Sequence, residues 1–136
     1  MKKISIALLM IISLASCKKT LEEKARDIVI DAMTSGKWEI TKFTVDGTNI
    51  TSDFAGYSFQ YQKNETVDAI KDGSIQSTGT WSGDAANMSI SANFTNVSEP
   101  LLLINGTWSI TNNSWTFVEA KQTIGNQVKT LRLDKL

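Results

Sequence analysis

The chain of 136 residues has no histidine, one cysteine and one proline. Without histidine it lacks the usual general base near neutral pH and the commonest metal ligand. A single cysteine, Cys17, excludes a disulfide within the chain and a metal-binding cysteine pair. Serines are plentiful, but there is no Gly-x-Ser-x-Gly elbow and no Ser-x-x-Lys with its partner motifs. Carboxylates at strand positions stand singly, as Glu39, Glu65, Asp68 and Glu119, and read as solvent-facing residues. Asp46, Asn49 and Asp53 could offer oxygens to calcium, yet they miss the EF-hand spacing and read as an ordinary polar loop. Fourteen basic residues balance fourteen acidic ones, with no clustered basic run to capture nucleic acid. The expectation is a protein that is not an enzyme, with no cofactor and no metal. Seven Asn-x-Ser/Thr triplets, beginning at Asn49, Asn64, Asn87, Asn93, Asn96, Asn105 and Asn112, follow from composition.

The longest apolar run stands at the N-terminus. Lys2 and Lys3 precede an eleven-residue stretch, Ile4 to Leu14, and Leu14-Ala15-Ser16-Cys17 closes it. The stretch is too short to span a bilayer as a helix, which needs about 20 residues, and has the form of a signal-peptide core. Its end resembles the lipobox of bacterial lipoproteins. That resemblance implies removal of residues 1–16, acylation of Cys17 as the new N-terminus, and attachment at the cell envelope, with the outer membrane the expected location. Two or three acyl chains on one cysteine meet the requirement for stable anchoring. The mature chain would then carry about −2, because Lys2 and Lys3 leave with the leader.

Residues 17–19 form a tether, and residues 20–35 read as an amphipathic helix. Thr20 and Glu23 have capping-box spacing, Leu21, Ala25, Ile28, Val29, Ala32 and Met33 form an apolar stripe, and Gly36 is placed to end the helix. The mixed charges of its other face favour packing on the domain over lying on a membrane.

From Gly36 the period changes to two. Trp38 and Ile40 share a face, and Phe43 with Val45 share one after a phase slip that predicts a bulge. Tyr57, Phe59 and Tyr61 alternate with Ser58, Gln60 and Gln62; Met88, Ile90, Ala92 and Phe94 alternate with polar residues. Further strands are expected over 65–71, 74–81, 101–110, from Trp115 through Phe117, and over 127–135. Asp46-Gly47, Asp72-Gly73, Asn112-Asn113 and Gly125-Asn126 are the turn signals. Eight strand candidates joined by short connections predict an all-β antiparallel domain, either a sandwich or a closed up-and-down barrel.

Gly-x-Trp occurs three times, at Gly36-Lys37-Trp38, Gly79-Thr80-Trp81 and Gly106-Thr107-Trp108. A glycine there relieves crowding where a strand bends, while the indole fills the space between layers. With its first copy following the helix and opening the first strand, the chain resembles the lipocalins. It is more closely similar to the small lipocalin-like lipoproteins of Bacteroidetes-type bacteria, through Gly-Lys-Trp-Glu-Ile (36–40), Val-Asp-Gly (45–47), Tyr-Ser-Phe-Gln-Tyr (57–61), Gly-Thr-Trp-Ser (79–82), Gly-Thr-Trp-Ser-Ile (106–110) and Leu-Arg-Leu-Asp-Lys-Leu (131–136). The Thr-Asp-Tyr-type second motif of lipocalins is absent. The resemblance implies an eight-stranded antiparallel up-and-down barrel over residues 36–136, preceded by one short amphipathic helix. It also implies a floor built from Gly36 and Trp38, with Arg132 covering the tryptophan ring.

The expected inner wall is Ile40, Tyr57, Phe59, Tyr61, Trp81, Met88, Ile90, Phe94, Trp108, Trp115 and Phe117. Two functions are compatible with it. A hollow barrel would bind or carry one small hydrophobic or amphipathic molecule at the envelope, since eight strands leave room for a single ligand. A barrel filled by these same side chains would instead be a non-catalytic interaction module. The membrane, through the acyl chains, is the other expected partner.

Overall fold

The computed structural model describes residues 20–136, so the leader, Cys17 and the tether lie outside the described residues. Helix α1 covers residues 20–34. Nine strands follow: β1 (Trp38–Val45), β2 (Thr48–Asn49), β3 (Tyr57–Tyr61), β4 (Thr66–Lys71), β5 (Ser74–Asp84), β6 (Ser89–Asn93), β7 (Gly106–Asn113), β8 (Phe117–Ile124) and β9 (Gln127–Lys135). Every pairing is antiparallel, and neighbours follow sequence order from β3 to β9. The pairing of β1 with β9 closes the sheet. The result is an eight-stranded antiparallel barrel with one short helix before it, and the two-residue β2 folds back on β1.

Local chemistry explains the order of strands. Asp46-Gly47 and Asp72-Gly73 both take positive φ at their two positions, 49° and 81°, then 49° and 84°. That is the type I′ geometry whose twist matches the flanking strands, so each connection returns the chain beside the strand it left. The expected slip in β1 is present as a register shift between Ile40 and Lys42, which turns Phe43 onto the same inner face as Trp38 and Ile40. β1 and β3 share only the pair Trp38–Phe59. The space left beside this short seam is filled by a 3-10 turn, Thr51–Phe54, whose buried Phe54 ring lies 4.8 Å from that of Phe43. Thr51 Oγ1 accepts the Phe43 N–H at 2.9 Å, so the seam's open donor is paired.

Three local expectations change. The apolar run 101–110 does not start as a strand, because Leu101–Ile104 forms a 3-10 turn and β7 begins at Gly106. Leu101 and Ile104 are buried by that turn at 5% and 7% exposure. The turn expected at Asn112-Asn113 moves to residues 114–116, since a register shift between Ile110 and Asn112 carries β7 two residues further. Of the helical stripe, Leu21, Ala25 and Ile28 are exposed, while Val29, Ala32 and Met33 pack, joined by Ile30. The helix contributes to the core through its C-terminal half. Gly83 marks the seat, where an added Cβ would stand 3.0 Å from Val29.

Candidate binding site

The lumen is occupied by one continuous cluster of buried side chains drawn from the strands, α1 and both 3-10 turns. Aromatic contacts cross it. The Phe43 ring on β1 meets Trp108 on β7 edge-on at 5.8 Å, with β8 and β9 lying between those strands in the sheet. Phe59 on β3 lies 6.5 Å from Phe94 at the end of β6, across β4 and β5. Small residues on the inner face, Ala69, Ala92 and Ala120, leave room for these rings. Tyr61 packs edge-on against Trp81 at 5.2 Å, and burial pushes its phenol pKa up.

Eight of the eleven residues expected on the inner wall are there: Ile40, Tyr57, Phe59, Tyr61, Trp81, Ile90, Phe94 and Trp108. Three are not. Met88 is 46% exposed with φ 49°, because the Asp84 carboxylate accepts the Asn87 backbone and side-chain N–H groups and builds a turn that ends at Met88. Trp115 is 59% exposed in the β7–β8 turn. Phe117 lies on the outer face, since Val118, Ala120 and Gln122 take the inward positions of β8. Phe43, Phe54, Leu101 and Ile104 also belong to the wall, outside the eleven expected residues. Phe43 was legible from the β1 phase slip, whereas the other three come from irregular segments without a period.

Each tryptophan of the three Gly-x-Trp motifs is buried and donates its indole N–H to a carbonyl outside its own strand. Trp38 reaches Met33 at 2.9 Å, Trp81 reaches Gln62 at 2.9 Å, and Trp108 reaches Ile104 at 2.7 Å. These bonds satisfy the one polar atom of the ring and tie the barrel to the segments at its ends. At Gly79 an added Cβ would come within 2.5 Å of the Asn93 carbonyl oxygen, so that strand contact needs glycine.

The expected cover of Trp38 is corrected. Arg132 points outward, lies over the Phe117 ring at 4.3 Å, and bonds Asp134 at 2.9 and 3.1 Å and Glu119 at 2.7 Å. Thr41 donates to the same Asp134 carboxylate. Arg132 alternates with the inward Leu131 and Leu133, so it cannot reach the floor from its place on β9. The cation over Trp38 is Lys135, 5.0 Å from the ring centre, with Nζ donating to Ala32 O and Ser35 Oγ, both at 3.0 Å.

The opposite end is shut by the segment between β6 and β7. Asn105 pairs with the backbone of Phe94 in both directions, at 2.7 and 2.9 Å. Lys129, 5% exposed, donates to Leu103 O at 2.8 Å and stands 5.5 Å from the Trp108 ring centre. Burial pushes its pKa down. Its cross-strand neighbour Gln122 donates to the carbonyls of Asn105 and Thr107, while its Oε1 is buried without a partner.

A partly open apolar cleft occurs at the α1 end. A cleft of about 190 Å³ runs between α1 and the barrel rim, walled by Ile28, Val29, Ala32 and Met33 on one side. Trp38, Ile90, Ile110, Trp115 and Val118 wall the other, and Asn113 and Ser114 add polar groups. A wider depression of about 510 Å³ lies on the outer face of β4 to β7 and is lined largely by hydroxyl and amide side chains. Asp46 and Asn49 accept backbone N–H bonds from Val128 and Thr51. Among the described residues no group of three or more Cys, Asp or Glu side chains could hold a metal.

No family model and no curated protein matches the chain. A solved structure does: a DUF4847 family protein from Bacteroides vulgatus ATCC 8482, with a TM-score of 0.53 and 17% sequence identity. The match covers 78% of this chain and 96% of that one. That protein is also a closed eight-stranded barrel, and the likeness is one of fold.

Proposed function

We propose that this protein is a non-catalytic lipoprotein of the bacterial cell envelope, whose solid barrel is a scaffold that binds at its rim and outer surface. The observation that carries this reading is the pair of aromatic contacts across the lumen, Phe43–Trp108 and Phe59–Phe94, within one continuous core. A carrier of the usual barrel kind needs a hollow interior, and here rings occupy that space. The lipobox resemblance at Leu14 to Cys17 supports an anchor there, and the two residues between Cys17 and α1 favour an orientation with the helix end of the barrel towards the membrane. The absence of histidine and of a nucleophile motif supports a role without chemistry.

Two measurements test the reading. Phe59→Ala should lose the full penalty of a packed phenylalanine, about 3–5 kcal/mol, in chemical denaturation. A much smaller loss would indicate a pre-existing void and favour the lumenal carrier. Metabolic labelling with a fatty-acid probe should mark the wild-type chain and leave Cys17→Ser unmarked; equal labelling would remove the anchor from the proposal.

A further inference from the structure

We infer that the cleft between α1 and the barrel rim is a binding site for one small uncharged molecule of single-ring size. The inference rests on the filled-lumen reading, because with the lumen occupied this half-open seam offers the apolar volume. Its size is informative: about 190 Å³ is slightly larger than the engineered apolar cavities of roughly 150 Å³ that take benzene. A single ring matches that volume.

The wall chemistry narrows the class further. None of the side chains around the cleft is ionised. Trp38 presents only its ring, because its N–H is already donated to Met33. The nearby Lys135 ammonium is not part of the lining and already donates to Ala32 O and Ser35 Oγ, so a charged ligand would lose its hydration for little counter-charge. Asn113 and Ser114 at the β7–β8 turn allow one hydroxyl or carbonyl on the ligand. Trp115, 59% exposed beside Ile28 at 54%, offers a ring face to stack on, and a bound ligand would cover both side chains. The same position that removes Trp115 from the inner wall gives it this role. The cleft is already open to solvent on the side of Ile28 and Trp115, so a ligand can enter without barrel deformation.

The test uses the full chain, expressed from Met1 and isotopically labelled, titrated with 4-fluorophenol and, in parallel, with 4-fluorobenzoate. Fluorine linewidths give the affinity, and backbone amide shifts give the location. The expected result is saturable binding of the phenol, with shifts confined to residues 28–38 and 110–118, and no saturable binding of the benzoate. Ala32→Trp, which fills the cleft from α1, should weaken the phenol by about tenfold or more. Trp115→Ala removes only an exposed side chain and so keeps the fold, and it should weaken binding several-fold. No saturable binding, equal binding of the benzoate, or affinity unchanged in both variants would each overturn the inference. Shifts centred on Ala69, Ala92 and Ala120 would overturn it and the solid-barrel reading together, whereas absence of binding leaves that reading intact.

Discussion

At one end of the barrel Lys135 reaches from β9 to the carbonyl of Ala32 and lies over Trp38; at the other, Lys129 reaches from the same strand to the carbonyl of Leu103 and lies over Trp108. Both tryptophans belong to Gly-x-Trp motifs, and both give their N–H to the segment that plugs their own end. The surroundings differ. Lys135 is only half-buried and bonds a second oxygen on Ser35. Lys129 is buried, its pKa is pushed down by desolvation, and its ammonium meets one carbonyl and one ring. A helix laid across a rim meets it along one stripe, so a cleft is left beside it. An irregular segment can turn its carbonyls and its Leu101 and Ile104 side chains inward and close the other mouth. In this barrel the β6–β7 segment buries Leu101 and Ile104 in its mouth, whereas α1 leaves a cleft beside it.

The largest effects should test whether the two ends are equivalent. Trp38→Ala and Trp108→Ala should each cost about 3–5 kcal/mol in chemical denaturation, since each removes a buried ring and frees a plugging carbonyl. A much smaller loss at either site would break the symmetry of the ends. Asn105→Ala removes both backbone bonds at the base of the β6–β7 segment and should cost about 1–3 kcal/mol. Hydrogen exchange should rise there first, over residues 94–105, with the α1 end unaffected.

A smaller effect separates the two cations on β9 from Arg132. Lys135→Met should lose about 0.5–1 kcal/mol, and its loss combined with Trp38→Ala should be less than additive. Arg132→Ala combined with Trp38→Ala should be additive, because Arg132 faces outward. Coupling between Arg132 and Trp38 would contradict the arrangement of the floor.

The smallest effects are slopes with pH. Lys129 has a folded pKa below its ordinary 10.5, so between the two values the unfolded chain binds more protons, and stability rises with pH across that window. Tyr61 has the opposite sign. Its folded pKa is raised, so above about pH 10 the folded chain holds a proton that the unfolded chain has lost, and stability falls. Urea titrations at successive pH values should show Lys129→Met flattening the rise and Tyr61→Phe reducing the fall. A slope unchanged in Lys129→Met would mean the ammonium is solvated.

How much was legible in the sequence follows from which forces are local. The barrel could be read because period-two alternation and Asp-Gly turns act over a few residues, and each strand here pairs with the next one or closes the ring. The bulge in β1 was legible as a broken phase between Ile40 and Phe43. Trp115, Phe117 and Met88 were misplaced because a one-residue change of phase or a turn bound by Asp84 moves a side chain to the other face, and neither leaves a periodic trace. The cleft was not legible at all, since its two walls are separated in sequence and meet only when α1 lands on the rim.

By itself, the sequence determined the all-β alternation, the order of antiparallel neighbours, the glycine positions before three buried tryptophans and the absence of histidine-based chemistry. These depend on residue type and short spacing. Only the tertiary structure decided that the lumen is full, that Lys135 and not Arg132 covers Trp38, and that open apolar space lies beside α1. Those outcomes depend on how far a ring reaches across the barrel and which face of β9 each side chain takes, and packing sets both once the sheet has closed.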